Sequence, residues 1–438
     1  MAHEPEPQRP PGARESLPRP LRHRVGLARK RVLLWGFRRT VDLLRVVRLL
    51  PQRAPKGSPL HVLIVTLAPH LGDTVMQMPL IAALRAAHPG ARIDCAVEES
   101  AAPLLRRMPE LDHVYALQLG RSLPVGLVPS MRRGLLVAQQ YWRHMRSCTP
   151  TVCLVPRWGD DLFRSDVVAY LTGARRRIGF SWSVVAGAMP APYRDAFFTD
   201  ALSGGGAQHE PVRFCGLACD AGLIPRTALD GLSTRVLASL QRMAATQDWA
   251  ALAGRLGIAA DEPFAVIAPG ASHPKKMWPV ERWAAVMAEL RARGLSVVLL
   301  SGASDASVAR ELHQRSGGWA TLVAGRTSLM ESLALISRAK LFLGSDSGPG
   351  HMAGALGIPT VVLFISTPAA SPDDPYSPAR NRPLGPYVAS CQPSRNLAPC
   401  DGACQAETVH CLALIEVGDV LQAADALLEQ KQRSDDAQ

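Results

Sequence analysis

The 438-residue sequence predicts an α/β protein of two doubly wound parallel-sheet units. Three observations lead there. Short uncharged apolar runs, the mark of strands buried on both faces, recur along the chain. A turn and a helix-length segment follow most of them, which is the rhythm of βαβ units. The rhythm fills two stretches separated by residues 223–260, and a chain of this length exceeds one ordinary core.

Taken in order, residues 1–20 are rich in Pro, Arg and Glu and are expected to be disordered. Residues 21–50 turn helical. Arg31, Arg38, Asp42 and Arg45 fall on one face, because steps of seven and four return to nearly the same angle, while Leu33, Phe37, Leu44 and Val47 lie roughly opposite. Pro51, Pro55 and Pro59 end this helix in a linker. The body starts at His61. Residues 61–67 (HVLIVTL) read as a strand, the loop Ala68–Gly72 follows, and a helix runs to about Ala87, where Pro89-Gly90 stops it before a strand at Ala91–Val97. Further strands are expected at Thr151–Val155 and Arg177–Phe180, with a helix near Leu162–Thr172 between them. Residues 203–206 (SGGG) suggest a flexible loop, and a helix spans about Glu210 to Gly222. In the second half, strands at Phe264–Ala268, Ser296–Ser301, Ala320–Val323, Leu341–Gly344 and Thr360–Phe364 alternate with helices at Val280–Arg293, Ser304–Ser316, Leu329–Ala339 and Gly348–Leu356.

Composition bounds the function. Hydrophobic residues make up 47% and charged residues 20%, as in a globular protein. Residues 1–60 hold 14 basic and four acidic side chains, a net of +10, so the rest of the chain carries only +2 of the total +12. The basic character belongs to the arm, and a nucleic-acid role read from overall charge is excluded. Cys95, Cys148, Cys153, Cys215 and Cys219 sit among apolar residues and read as buried thiols. The first twenty residues lack an apolar run, so no secretory signal is expected there. No stretch of about 18 uncharged apolar residues exists to cross a membrane. A cytoplasmic setting with reduced thiols is expected.

Four constellations could carry chemistry. Leu71-Gly72-Asp73-Thr74 lies between the first strand and first helix, where open parallel sheets bind ligands. Asp73 there is either a functional carboxylate or a helix cap. Pro269-Gly270-Ala271-Ser272 with Lys275-Lys276-Met277-Trp278-Pro279 follows another strand. Small residues there would let a ligand approach the backbone and Lys276 could neutralise a diphosphate, or the lysines are a solvated pair before a helix. Gly344-Ser345-Asp346-Ser347-Gly348-Pro349-Gly350-His351 joins a strand to a helix. Its exposed amides, hydroxyls and helix dipole suit phosphate, and three glycines permit close approach; the bland reading is a capped turn. Its glycine spacing matches neither a P-loop nor the dinucleotide fingerprint. Cys391, Cys400, Cys404 and Cys411 lack a Cys-x-x-Cys pair, so packed thiols or a redox-dependent disulfide compete with a metal site.

Taken together, HVLIVTLAPHLGDTVMQMPLIAALRAAHPGARID, GARRRIGF, IAPGASHPKKMWPVERW and LFLGSDSGPGHMAGALGIPTVVLF resemble, in that order, glycosyltransferase family 9, the heptosyltransferases of lipopolysaccharide assembly. The resemblance covers roughly residues 60–415. It implies the glycosyltransferase-B fold, with two Rossmann-like domains facing a cleft, an acceptor domain at 59–235 and a nucleotide-sugar domain at 236–415; a basic arm with an amphipathic helix at 1–58 precedes them and a C-terminal helix and tail at 416–438 follow. It implies an inverting reaction without metal or cofactor. The family's first-loop Asp, its catalytic base, matches Asp73. Its Lys before Trp-Pro matches Lys276, and its Asp-x-Gly-x-x-His pattern matches Asp346, Gly348 and His351 at the donor diphosphate and ribose. Ser272 and Ser347 join these as expected donor contacts. Some members carry a C-terminal cysteine cluster. Two features depart from the family. Its first strand often delivers a Lys or Arg into the Asp loop, which Thr66-Leu67-Ala68 lacks, and the basic arm lies outside its pattern.

The expected partners are therefore a nucleotide-sugar donor such as ADP-heptose, a lipid-linked saccharide acceptor, and an anionic membrane surface met by the arm at the inner face of the cytoplasmic membrane. The bland alternative for the arm is a helix packed on the protein's own body. For the whole chain, the alternatives are a nucleotide-sugar epimerase of the same fold and a non-catalytic nucleotide-sugar or glycolipid binder.

Overall fold

The computed structural model describes residues 19–47, 50, 52–68, 70–119, 127–158, 164–183, 192–204, 209–400 and 405–437. Most of the expected disorder at 1–20, part of the SGGG loop, Pro51, Leu162, Cys404 and the side chain of Arg31 lie outside the described residues.

Helix α1 (Arg19–Val46) precedes β1 (His61–Thr66), α2 (Leu71–Ala87), β2 (Arg92–Glu98), α3 (Ala102–Leu105), β3 (His113–Leu117), α4 (Leu127–His144), β4 (Val152–Val155), α5 (Ser165–Leu171), β5 (Arg176–Phe180) and β6 (Asp200–Leu202). These six strands form one parallel sheet in the order β3-β2-β1-β4-β5-β6. Three helices, α6 (Glu210–Asp220), α7 (Leu232–Ala244) and α8 (Trp249–Leu256), lead to the second half. There β7 (Phe264–Ala268), α9 (Val280–Ala292), β8 (Ser296–Leu299), α10 (Ala306–Arg315), β9 (Thr321–Leu322), α11 (Leu329–Ser337), β10 (Leu341–Ser345), α12 (Gly348–Ala355), β11 (Thr360–Leu363), α13 (Pro378–Asn381), β12 (Val388–Cys391) and α14 (Val417–Asp436) follow. The second sheet, β12-β11-β10-β7-β8-β9, is also parallel throughout and has the same order read from the other edge. Both are doubly wound sheets of the dinucleotide-binding order, with a switch point between β1 and β4 and another between β7 and β10.

Burial explains the order. The central strands β7 and β10 are buried at every position and β1 at all but its first, which is why they read as continuous apolar runs. The core does not divide with the sheets. Val62 and Ile64 of β1 belong to the same apolar cluster as Val266 of β7 and Phe342 of β10, bridged by Met76 and Met78 of α2, Val236 and Leu240 of α7, Leu333 of α11 and Met352 of α12. Residues 223–260, an interdomain stretch in the sequence reading, thus hold two helices that complete this core.

The arm departs from its expected faces. Helix α1 begins at Arg19, inside the segment expected to be disordered. Val41 is buried, and Leu34, Phe37 and Leu44 pack on the outer core of the first sheet, with Phe37 against the Tyr170 and Phe197 rings. The polar face docks too: Arg45 donates to the carbonyls of Tyr170 and Leu171, and Arg38 and Asp42 meet the Tyr170 hydroxyl. Leu33 and Val47, expected opposite, are exposed, as are Val32, Trp35 (63%), Leu43 and Val46 (78%). Steps of three and four place Val32, Trp35, Arg39, Leu43 and Val46 on one outward stripe. Tyr170 supplies hydrogen-bond partners that a helical wheel cannot show. Among the described residues no helix is long and apolar enough to cross a membrane.

Candidate functional site

The site residues come from the two switch points. At the first, α2 starts directly after the loop that leaves β1. His70 is the N-cap residue, which puts Asp73 in the first helical turn rather than at the cap. Its carboxylate Oδ2 accepts a 3.0 Å hydrogen bond from Arg157 Nη1, in the loop leaving β4. β4 lies beside β1, so the switch-point geometry itself brings the two loops together. The capping alternative for Asp73 does not hold. Arg157 was not singled out from the sequence; its signal is its place two residues past a strand that borders the switch point.

At the second switch point, Lys276 Nζ lies 2.6 Å from Asp346 Oδ2, joining the loop after β7 to the loop after β10. His351 Nε2 stands 3.8 Å from Asp346 Oδ1. Burial alone would raise the Asp346 carboxyl, but the Lys276 ammonium and His351 outweigh it and hold the carboxyl well below the usual carboxylate range. His351 is buried, and its Nδ1 has no hydrogen-bond partner among the described residues. Lys275 Nζ lies 4.5 Å from the centroid of the Tyr376 ring, which Lys276 Nζ also approaches at 5.8 Å. Trp278 is fully buried against Trp283, and Pro279 caps α9, so Trp-Pro anchors the Lys276 loop. Ser272 is exposed on that loop.

The glycines and serines of the third motif act differently from expectation. A Cβ on Gly344 would meet the Ala268 carbonyl, on Gly348 the Leu71 side chain, and on Gly350 Val362. On Gly270 it would meet the Asp305 carboxylate. Their missing side chains are filled by protein, so they buy close packing of α12 rather than open space for a ligand. Ser345 Oγ donates to the Pro269 carbonyl and Ser347 Oγ to the Ser345 carbonyl, so these hydroxyl protons are already engaged. The amides of Gly350 and His351 turn back to the Ser347 carbonyl and Pro349 has none. The N–H groups of Ser347 and Gly348 are the donors that this helix start still offers among the described residues.

The two switch points face one another at contact distance. A Cβ on Gly72 would lie 2.7 Å from His351 Cδ2, and one on Gly348 2.6 Å from Leu71 Cβ. The starts of α2 and α12 therefore abut, bringing Asp73, Lys276, Asp346 and His351 into one seam. A buried charge network crosses the same seam: Glu210 pairs with Arg380 and lies 3.6 Å from Arg213, which also pairs with Asp373. Arg380 reaches the Trp158 carbonyl at 3.0 Å. Burial pushes the Glu210 carboxyl up, although Arg380, Arg157 and Arg213 oppose it. His209 Nε2 meets the Arg382 carbonyl, closing the edge of the seam. Beyond the carboxyl ends of β8 and β11, Ser301 and Thr367 bury hydroxyls that have no hydrogen-bond partner among the described residues. The sequence gives no signal for them.

The four-cysteine reading is redrawn. Cys391 lies in β12 and packs in the second core, where burial pushes its thiol up to about 11. Cys400 and Cys411 instead converge on His410.

Two such sheets meeting at their switch points, with an acid on one side and a Lys-Asp-His set on the other, define a glycosyltransferase-B architecture. The profile of glycosyltransferase family 9 (heptosyltransferase) matches residues 151–396, more than half of the chain. The chain belongs to that family. Lipopolysaccharide heptosyltransferase 2 of Escherichia coli K12 is 28% identical over 303 residues, 67% of this chain and 80% of that protein. Lipopolysaccharide heptosyltransferase 3 of Escherichia coli is 26% identical over 300 residues, 68% and 81% of the two chains. In fold, the chain is similar to the E. coli ADP-heptose lipopolysaccharide heptosyltransferase II structure (TM-score 0.60, 23% identity, covering 85% of this chain and 100% of that one). It is also similar to a family 9 glycosyltransferase from Veillonella parvula (TM-score 0.62, 16% identity, covering 86% and 100%).

Proposed function

We propose that this chain transfers a heptose from ADP-heptose to a lipopolysaccharide-core or related lipid-linked saccharide, with inversion and without a metal in the reaction. The carrying observation is the seam: Asp73, held by Arg157 through one oxygen, stands across from Lys276, Asp346 and His351, with Gly72 against the His351 ring. The first-sheet half (59–235) takes the acceptor and the second (236–415) takes the donor. Asp73 accepts the acceptor hydroxyl's proton as that oxygen attacks the anomeric carbon from the face opposite the diphosphate, so the centre inverts. Lys276, Ser272, the Ser347-Gly348 helix start and His351 meet the charge that builds on the departing diphosphate. Asp346 orients Lys276 and His351 between them.

The work belongs at the inner face of the cytoplasmic membrane. The outward stripe of α1, Val32, Trp35, Leu43 and Val46 with Arg39 among them, supports shallow insertion into an anionic surface. The direct test is transfer from ADP-heptose to a heptose-deficient core lipid, read by mass spectrometry. Asp73→Asn should fold and bind ADP, yet transfer at least about 10²-fold more slowly. A sugar epimerised on its nucleotide without acceptor would make the chain an epimerase. Binding without transfer or donor turnover would make it a binder. Either result overturns the proposal.

A further inference from the structure

Between β12 and α14, away from both switch points, Cys400, His410 and Cys411 bring their donor atoms within 4.8 Å of one another. We infer that this trio binds a thiophilic divalent cation, zinc by its chemistry, through the two Sγ atoms and His410 Nδ1. The spacing fits. Nδ1 stands 3.7 Å from Cys400 Sγ and 3.4 Å from Cys411 Sγ. In a tetrahedral zinc site with bonds of about 2.3 Å to sulfur and about 2.0 Å to nitrogen, such a pair is separated by about 3.5 Å. Hydrogen bonding alone accounts poorly for this arrangement. Nδ1 carries one lone pair or one proton and so pairs with one sulfur, whereas a single central ion meets both.

The backbone supplies an independent observation. The N–H of Leu397 donates to Cys411 Sγ and that of Gln405 to Cys400 Sγ, each at 3.3 Å. Amides aimed at the two buried sulfurs orient them as outer-shell partners orient metal ligands. The second close group of donors, His61, Asp94 and Cys148, is an ion-pair cluster, since Asp94 is shared by His61 and Arg92 and burial pushes the Cys148 thiol up to about 12. Two thiolates and an imidazole select zinc over the hard cations, and the fourth tetrahedral position falls to a donor outside the trio.

The ion would have a structural task. Directly after Cys411, Leu412 and Ile415 enter the second core. The Ile415 carbonyl accepts from Trp278 Nε1 at 3.2 Å and from Arg282, and Arg282 pairs with Glu416 at 3.0 Å. Trp278 lies two residues past Lys276, so a metal at the trio would fasten the back of the Lys276 loop. This inference does not rest on the proposed reaction, because metal content is read without it.

The test uses the full chain, expressed with zinc and desalted, with metal measured by plasma mass spectrometry. Wild type should carry stoichiometric zinc, and Cys411→Ser and His410→Ala should each lose it while Cys219→Ser keeps it. Cobalt exchanged into wild type should show thiolate charge-transfer and tetrahedral d–d bands, a readout that stands even if a variant folds poorly. Chelation should lower Tm, and zinc should restore it. Trace metal in wild type without a cobalt spectrum, zinc retained by both variants, or a Cys400–Cys411 disulfide in the freshly isolated protein would each overturn the inference. Stoichiometric iron in its place would overturn the assignment to zinc.

Discussion

Replacing Gly72 by alanine would press on the second-sheet side of the seam from the first-sheet side. An ideal Cβ there lies 2.7 Å from His351 Cδ2 and 3.0 Å from Nε2. Carbon atoms rest comfortably at about 3.5–4.0 Å, so the imidazole or the start of α2 must retreat by about 1 Å. His351 is only 4% exposed, which leaves the ring little room. Overpacking of this kind costs about 1–3 kcal/mol, a few degrees in Tm for a chain of this size. The proposed chemistry should suffer more, since a misplacement of about 1 Å costs on the order of 10²-fold in rate. Calorimetry gives Tm, titration with ADP gives donor affinity, and product mass spectrometry gives the rate. Gly179→Ala is the matched control, because its Cβ meets the Phe198 ring instead of the histidine. A Gly72→Ala protein with lowered Tm but wild-type ADP affinity and rate would refute the role given to His351. Unchanged Tm as well would refute the contact itself.

Lys276→Ala removes the 2.6 Å partner of Asp346 and should weaken ADP binding by about 10- to 100-fold, the scale of a lost charge-assisted hydrogen bond; unaltered titration calorimetry would move the donor to another loop. Burial lowers the His209 pKa to about 4, against the pull of its bond to the Arg382 carbonyl. The unfolded chain therefore takes that proton first, so this contribution to stability is full above about pH 6.5 and declines as pH falls toward 4, by at most about 1.4 kcal/mol per pH unit. His209→Gln should flatten the decline in denaturant titrations, and parallel curves for the two proteins would contradict it. Replacing Trp35, Leu43 and Val46 by serine should lower co-sedimentation with anionic vesicles at physiological salt and leave Tm unchanged, because the docking side chains Phe37, Val41 and Arg45 remain. Retained binding, also after deletion of residues 1–58, would refute a membrane role for the arm.

What could be read from the sequence follows from burial. Strands buried on both faces, such as Val62 to Val65 or Leu341 to Leu343, favour apolar side chains and so announce themselves. Strand β3, at a sheet edge, opens on exposed His113 and has only the short run Val114–Leu117, and β6, at the other edge, has three half-buried residues and no apolar run. Asp73, Lys276, Asp346 and His351 were visible because loops after central strands are short and their polar residues few. Arg157 was not, since its pairing depends on β4 lying beside β1, which is tertiary information. The same holds for His410, whose contact with Cys400 no local sequence pattern announces. The glycines near His351 were read as making room for a ligand. Leu71, Val362 and the Ala268 carbonyl, all remote in sequence, fill that room.

The unbroken apolar core also limits how the two halves can be recombined. A chimera joined between α7 and α8 would pair Val236 and Leu240 with a foreign α11 and α12, and Met76 and Met78 with a foreign α12 start, so both halves would bring mismatched surfaces to the seam. Volume-changing mismatches in a packed interior cost a few kcal/mol each, comparable to a sizeable part of a domain's net stability. The same core reaches the segment that follows β2, since Leu104 and Leu105 of α3 belong to it, and the loop after β4 carries Arg157, which holds Asp73, so neither can be exchanged without disturbing the seam.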